Sequence, residues 1–188
     1  GALKSIRGGS GLGDSIYVAA IAREMVKRHE VEVCSNWPDV FRYLPVKVSK
    51  FRLDRITNLA HYSMRKGIAG TTQFQDCCTA SGVEAELKLD WTPTSDIGER
   101  LKDGRPIVCV QLPRNPMGRT DGFGKELLPD CRVIQKLLDR LKDKARIVQI
   151  GSGQALFKFS GIDVDLTNRT TVCELFDVAL ATDAFLGY

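Results

Sequence analysis

Gly8-Gly9-Ser10-Gly11-Leu12-Gly13-Asp14 decides the architecture of this chain. The stretch follows a short strand-like run, Ala2-Leu3-Lys4-Ser5-Ile6-Arg7. It precedes a helical pattern in which Ile16, Ala19, Ala20, Ala22, Met25 and Val26 keep to one broad face, while Arg23, Glu24, Lys27 and Arg28 are polar. Val31-Glu32-Val33-Cys34 reads as the next strand. Strand, glycine-rich turn, helix and strand form the unit of a parallel sheet with helices on its faces. Clustered glycines mark a place where the backbone turns tightly or comes close to a ligand.

The turn is not a dinucleotide fingerprint. Counting Gly-x-Gly-x-x-Gly from Gly9 reaches Asp14, where the third glycine should stand, and no Gly-Lys-Ser/Thr follows to make a P-loop. No acidic residue closes the second strand at Cys34-Ser35, which also argues against a nicotinamide-dependent oxidoreductase. Asp14 has two readings of equal weight. A carboxylate at a helix N-terminus caps free N–H groups and meets the positive end of the dipole. At the C-terminal end of a first parallel strand it is also placed to take a proton from a hydroxyl. It would repel a pyrophosphate on the same helix end, so the loop is not read as a nucleotide site.

Outward from this unit the chain divides. Asn36 to Leu44 predicts a short helix, and weak strands are expected near Val46-Lys47-Val48 and from Arg55 to Leu59. Thr71 or Thr72 caps a helix to about Ala80, with Gly82 as its stop. Glu84 to Leu89 alternates in part and reads as an edge strand. Pro93, Gly98, Gly104 and Pro106 place a link at 93–105, between a first domain at 1–92 and a second at 106–188. The second domain repeats the theme, with strands at Ile107–Leu112, Arg146–Gly151, Ile162–Leu166 and Ala184–Gly187. Helices are expected from Asp130 to Lys142, with Val133, Ile134, Leu137, Leu138 and Leu141 as its apolar stripe, and from Val172 to Ala181, capped by Thr171. A sheet stopping at the apolar strand Ala184–Gly187 leaves that strand's edge uncovered. The second domain is therefore expected to be incomplete, or covered by a partner.

Composition is that of an ordinary globular protein, 43% hydrophobic and 27% charged. No apolar run approaches the roughly 20 residues that span a bilayer, and Gly8 to Asp14 interrupt any signal-peptide core. The expected location is the cytoplasm, including the periphery of a membrane's inner face. Cys34, Cys77, Cys78, Cys109, Cys131 and Cys173 make no C-x-x-C pair and are read as reduced thiols. With only His29 and His61 beside them, no metal site is expected. Net charge is +4, below that of a dedicated nucleic-acid binder. Yet Arg42, Lys47, Lys50, Arg52, Arg55, Arg65 and Lys66 face a single acid, Asp54. That run is either a solvated face or a surface for an anionic partner.

Gly11-Leu12-Gly13-Asp14 after a first strand resembles the opening of the family-9 glycosyltransferases, the ADP-heptose:lipopolysaccharide heptosyltransferases and their relatives. Lys125-Glu126-Leu127-Leu128-Pro129 resembles the family's Lys-x-Trp-Pro segment, with Leu for Trp and one residue added. Gln149-Ile150-Gly151-Ser152-Gly153 resembles its strand-then-glycine turn. Asp165-Leu166-Thr167-Asn168-Arg169-Thr170-Thr171 with Glu174-Leu175 resembles its Asp-Leu-Thr-Gly-x-Thr-Ser-x-x-Glu-Leu stretch, and Ala181 to Gly187 its Ala-x-Ala-x-x-x-Ile-Gly. The matches are short, span nearly the whole chain and occur in family order. The family's next segment, Asp-Ser-Gly, would follow Tyr188.

The resemblance implies an α/β, GT-B-like fold: two Rossmann-like parallel-sheet domains, the first for the acceptor and the second, incomplete, for a nucleotide-diphospho-sugar donor. It implies an inverting, metal-independent transfer without a cofactor. Asp14 becomes the general base, in the glycine loop of Gly11, Leu12 and Gly13. Lys125 pairs with donor phosphates, with Arg119 and Thr120 as further phosphate contacts. Gly151 and Ser152 approach the nucleoside, and Gln154 is nearest to the family's ribose-binding Glu. The acceptor is expected to be anionic, a lipopolysaccharide-like glycolipid or a nucleic acid. Asp163-Val164-Asp165 matches the Asp-x-Asp of metal-dependent GT-A enzymes but is read as strand alternation. A non-catalytic nucleotide-binding module of the same fold stands as the alternative. Oligomeric state is not indicated.

Overall fold

A computed structural model describes residues 2–53, 56–60, 71–113 and 130–187. The chain divides into two units, Gly1–Trp91 and Thr92–Tyr188. Each carries a four-stranded, all-parallel sheet with helices.

In the first unit, β1 (Lys4–Arg7), α1 (Leu12–Met25) and β2 (Val31–Cys34) form the expected opening, followed by β3 (Lys47–Ser49), β4 (Thr57–Asn58) and α2 (Gln73–Ser81). The strand order is β3-β2-β1-β4, with Ile6 opposite Val33 on one side and Thr57 on the other. The helix α1 buries Val18, Ala19, Ala20, Ile21, Ala22 and Met25. Three of these are alanines, so the helix seats closely on the sheet. Burial of Val18 and Ile21 alone contributes about 1.5–3 kcal/mol each. All four residues of β2 are buried, Glu32 included. The Ser5 hydroxyl donates to the Glu32 carboxylate at 2.9 Å and holds it below the usual carboxylate range, with Arg52 at 3.5 Å assisting. Thr72 caps α2 by accepting from the Gln75 N–H, and Gly82 ends the helix at φ 67, a left-handed conformation suited to glycine.

Two expectations for this unit change. Only one turn of 3₁₀ helix, Pro38–Phe41, forms where a helix to Leu44 was expected. Glu84–Leu89 joins no ladder. Its alternation suits a strand, but its carbonyls are used otherwise: the Arg23 guanidinium donates to the carbonyls of Glu86 (3.1 Å) and Lys88 (3.3 Å) and to the Asp90 carboxylate (3.1 Å).

The second unit comprises α3 (Ile97–Arg100), β5 (Ile107–Gln111), α4 (Cys131–Leu141), β6 (Arg146–Ile150), β7 (Val164–Asp165), α5 (Val172–Ala181) and β8 (Ala184–Leu186), with strand order β7-β6-β5-β8. Alternate residues of β5 and β6 feed two cores. Ile107, Cys109 and Val148 pack with Ile97, Leu101 and Val178 on one face. Val108, Val110 and Ile147 pack with Leu138, Ala145 and Phe159 on the other. Both faces are covered, which is why these strands read as near-continuous apolar runs.

Residues 93–105, whose Pro and Gly content predicts a link, lie with this unit. Ile97 and Leu101 are in its core. The buried Asp177 carboxylate accepts from the Thr94 N–H (3.0 Å), the Thr94 hydroxyl (2.8 Å) and the Ser95 hydroxyl (2.7 Å). Asp130 caps α4, whose expected stripe is only partly covered: Leu138 is buried, while Val133 and Leu137 are exposed among the described residues. Thr171 and Glu174 cap α5 reciprocally. At the starting ends of the strands, two aspartates do the same work. Asp163 accepts from the Ile147 N–H at 2.7 Å, and Asp183 from the Ile107 N–H at 2.8 Å.

Candidate functional site

Open parallel sheets bind ligands beyond the C-terminal ends of their strands. In the first unit that edge carries the glycine loop. The helix starts at Leu12 with Gly11 as its N-cap residue, so Asp14 sits at N3 and is not the cap residue itself. Its carboxylate turns back to accept from the Gly11 N–H at 3.1 Å. Gly11 has no side chain with which to complete a capping box, so this is the acidic half of one. Negative charge in a first turn is stabilised by the dipole and free N–H groups.

The glycines make room for that carboxylate. A Cβ on Gly9 would collide with it, lying 2.6 Å from Cγ and 2.9 Å from Oδ1; one on Gly11 would lie 3.0 Å from Oδ2. A Cβ on Gly8 would meet Val18 Cγ2 at 2.9 Å and the Asp14 carbonyl at 3.1 Å. Gly13 has open space around it. Gly9 and Gly11 are therefore glycines because an acid is folded over them.

Residues that sequence reading did not single out brace this edge. The Trp37 indole N–H donates to the Ser10 carbonyl at 2.9 Å. The Trp37 backbone N–H donates to Ser35 Oγ at 2.9 Å, and Ser35 shares a buried 2.8 Å hydrogen bond with Ser15. Arg7 Nη1 donates to Asn58 Oδ1 (3.1 Å) and the Gly8 carbonyl (3.2 Å), with its guanidinium over the Phe51 ring. No motif signals these residues, because they meet only once the sheet has formed. Of the basic run, Arg42, Lys47, Lys50 and Arg52 are exposed, while Asp54, Arg55, Arg65 and Lys66 lie outside the described residues. Arg42 lies against the Tyr43 and Trp91 rings.

In the second unit, the corresponding edge carries Gly151, Ser152 and Gly153. Gly151 has φ 133, and a Cβ there would lie 2.8 Å from Leu112 Cβ. Asn168 shapes the turn: its N–H donates to the Gly151 carbonyl (2.9 Å), its Oδ1 accepts from the Gly153 N–H (2.7 Å), and its Nδ2 donates to the Gly153 carbonyl (3.0 Å). Asn168 has a φ of 57, one that asparagine tolerates. Ser152 and Gln154 are exposed beside it. Burial alone would raise the Asp165 carboxyl, but the Thr167 hydroxyl and N–H, the Gln149 amide and Arg169 hold it below its ordinary value. Asp163 bonds the Ile147 N–H and pairs with Arg105 at 3.3 Å, so both acids of Asp163-Val164-Asp165 are engaged within the unit. Lys125, Arg119 and Thr120 lie outside the described residues.

Two clefts among the described residues lie at the opposite, N-terminal ends of the strands. One of about 540 Å³ includes Lys4, Thr57 and the end of α1; one of about 630 Å³ includes Ile107, Asp183 and the end of α5. Cations there, such as Lys27, Arg28 and Lys102, complement helix C-termini. Their size does not outweigh the edge rule.

No protein-family model matches the chain, and neither does any curated protein. A solved structure does: a dodecameric iron-containing heptosyltransferase, TibC, in complex with ADP-D-β-D-heptose, at 16% identity and a TM-score of 0.62. The fold is GT-B-like. The match covers 99% of this chain and 52% of the other, so the chain spans about half that protein's length.

This comparison corrects the expectation of a metal-independent transfer. A protein of this fold is described as iron-containing, so metal independence does not come with the fold. Among the described residues, no group of three or more His, Cys, Asp or Glu side chains could hold a metal ion. None of the six cysteines is in a disulfide. No helix of the described residues is long and apolar enough to cross a membrane.

Proposed function

We propose that this chain is part of a glycosyltransferase that draws a sugar, specifically a heptose, from a nucleotide-diphospho-sugar. The first unit handles the acceptor and the second the donor. The observation that carries the reading is the Asp14 carboxylate, seated among glycines at the C-terminal edge of a parallel sheet and bonded to the Gly11 N–H at 3.1 Å. A carboxylate held this way is placed to accept a hydroxyl proton.

In the proposed reaction Asp14 takes that proton and the acceptor oxygen bonds to the anomeric carbon. The bond from that carbon to the diphosphate breaks, and its electron pair leaves with the nucleoside diphosphate. Lys125 takes up the leaving charge, assisted by Arg119 and Thr120. The turn of Gly151 and Ser152, shaped by Asn168, contacts the nucleoside. The exposed Arg42, Lys47, Lys50 and Arg52 suit an anionic acceptor, a glycolipid at a membrane surface or a nucleic acid. Steeply salt-dependent, base-independent affinity for oligonucleotides distinguishes the second.

The test is release of ADP from ADP-D-β-D-heptose by the complete protein, with ferrous iron supplied and with chelator. The expected result is release that Asp14→Asn abolishes. Wild-type release by that variant removes the base assignment. Donor binding without release supports a binding module instead. Lys125→Ala is expected to weaken donor binding, and unchanged affinity removes its phosphate role.

A further inference from the structure

Resting on the reading of Asp14 as the base, we infer that Trp37 and Ser35 are positioning residues that grip the Asp14 loop from both sides. Gly11-Leu12-Gly13-Asp14 is flanked by Ser10 and Ser15. The Ser10 carbonyl receives the Trp37 indole N–H at 2.9 Å, and the Ser15 hydroxyl meets the Ser35 hydroxyl at 2.8 Å. Trp37 and Ser35 are themselves joined, through the Trp37 backbone N–H and Ser35 Oγ at 2.9 Å. One short segment after β2 therefore fixes the residue before the loop and the residue after the acid.

The arrangement counters a specific weakness. Glycines at 8, 9 and 11 leave the loop backbone with the widest conformational freedom of any residue type. The bond from the Gly11 N–H to Asp14 Oδ2 is local to the loop and cannot by itself fix where the pair sits over the sheet. Ser35 follows directly on β2, is buried, and donates its own N–H to the Ser49 carbonyl at 3.1 Å. It thus refers the acid's position to the sheet. Serine 15 is in the same first helical turn as Asp14, so holding its hydroxyl fixes the rotation of that turn.

Trp37→Phe keeps an aromatic six-membered ring and removes the N–H donor together with the rest of the pyrrole ring. Amide exchange in this chain reads the geometry directly. The Gly11 amide is expected to exchange about fivefold faster, the worth of one neutral hydrogen bond, with the amides of β1 and β2 unchanged. In the complete protein, with ADP-D-β-D-heptose as probe, Trp37→Phe is expected to lower kcat by a similar factor. Donor KM should not change, and the acid-side midpoint of the pH profile of kcat should move. A merely structural loss would not split kcat from KM or move that midpoint.

Unchanged Gly11 exchange overturns the inference, as does unchanged kcat with an unmoved pH midpoint. The two readings fail separately: wild-type turnover by Asp14→Asn removes the base, whereas an inactive Asp14→Asn beside a normal Trp37→Phe removes only the grip. If the wild type releases no ADP from this probe, the Gly11 amide decides.

Discussion

Gly9→Ala is the sharpest probe of how the Asp14 carboxylate is seated. The three atoms nearest a Cβ at position 9 all belong to that carboxylate. The methyl group therefore evicts the acid and breaks its bond to the Gly11 N–H. A charge-assisted bond of this kind contributes about 1.5–3 kcal/mol. Against it, Gly→Ala narrows the unfolded ensemble and returns about 0.4–1 kcal/mol. The net cost is then roughly 1–2 kcal/mol. In an Asp14→Ala background the colliding atoms are gone, so the same change becomes neutral or stabilising by up to about 1 kcal/mol. The double-mutant cycle thus carries a coupling of about 1.5–3 kcal/mol. Both tryptophans, Trp37 and Trp91, belong to the first unit, so urea unfolding followed by tryptophan fluorescence reports that unit. Additive effects, within about 0.5 kcal/mol, would refute the seating and the account of why the loop is glycine-rich.

Asp177→Ala removes the shared acceptor of Thr94 and Ser95 and is expected to destabilise the second unit by about 3 kcal/mol. It should also expose residues 93–101 to amide exchange; a loss under about 1 kcal/mol contradicts this. Asp103 is held down to about 2 by hydrogen bonds from Arg105 and the charges of Arg105 and Arg146, from an ordinary value of 3.8. A lowered folded-state value stabilises above the ordinary value and is lost as pH falls. Asp103→Asn should therefore flatten the second unit's stability between pH 3.8 and about 2 in acid titration by circular dichroism. Arg23→Ala should open residues 84–90 to proteolysis, and Arg23→Lys should not rescue it, because a single ammonium nitrogen cannot cover the acceptors that two guanidinium nitrogens reach.

The sequence announced those parts of the fold that depend on neighbours along the chain. Gly82 and Thr171 bound their helices through local backbone and side-chain geometry, so residue type alone revealed them, and it narrowed the other cap to Thr71 or Thr72, of which Thr72 caps. The strands Ile107–Gln111 and Arg146–Ile150 were legible because both faces are covered. Glu84–Leu89 misled because alternation shows an extended backbone but not which groups take its carbonyls, and Arg23 lies far back in the chain. Residues 93–105 read as a link because Pro and Gly obscure the burial of Ile97 and Leu101. At the candidate site, Asp14 stood out by its position and Gly151 by the resemblance. Trp37, Ser35 and Asn168 did not, since their work consists of hydrogen bonds to partners across 15 to 27 positions of sequence.

Asp163 and Asp183 have a further consequence. Each flanking strand of the second sheet arrives with a carboxylate that locks an amide at the start of its inner neighbour, the second of β6 and the first of β5. Alignment is thereby pinned at the floor of the sheet, and a slip by one position would forfeit the lock as well as the ladder. The rim above is released from that duty.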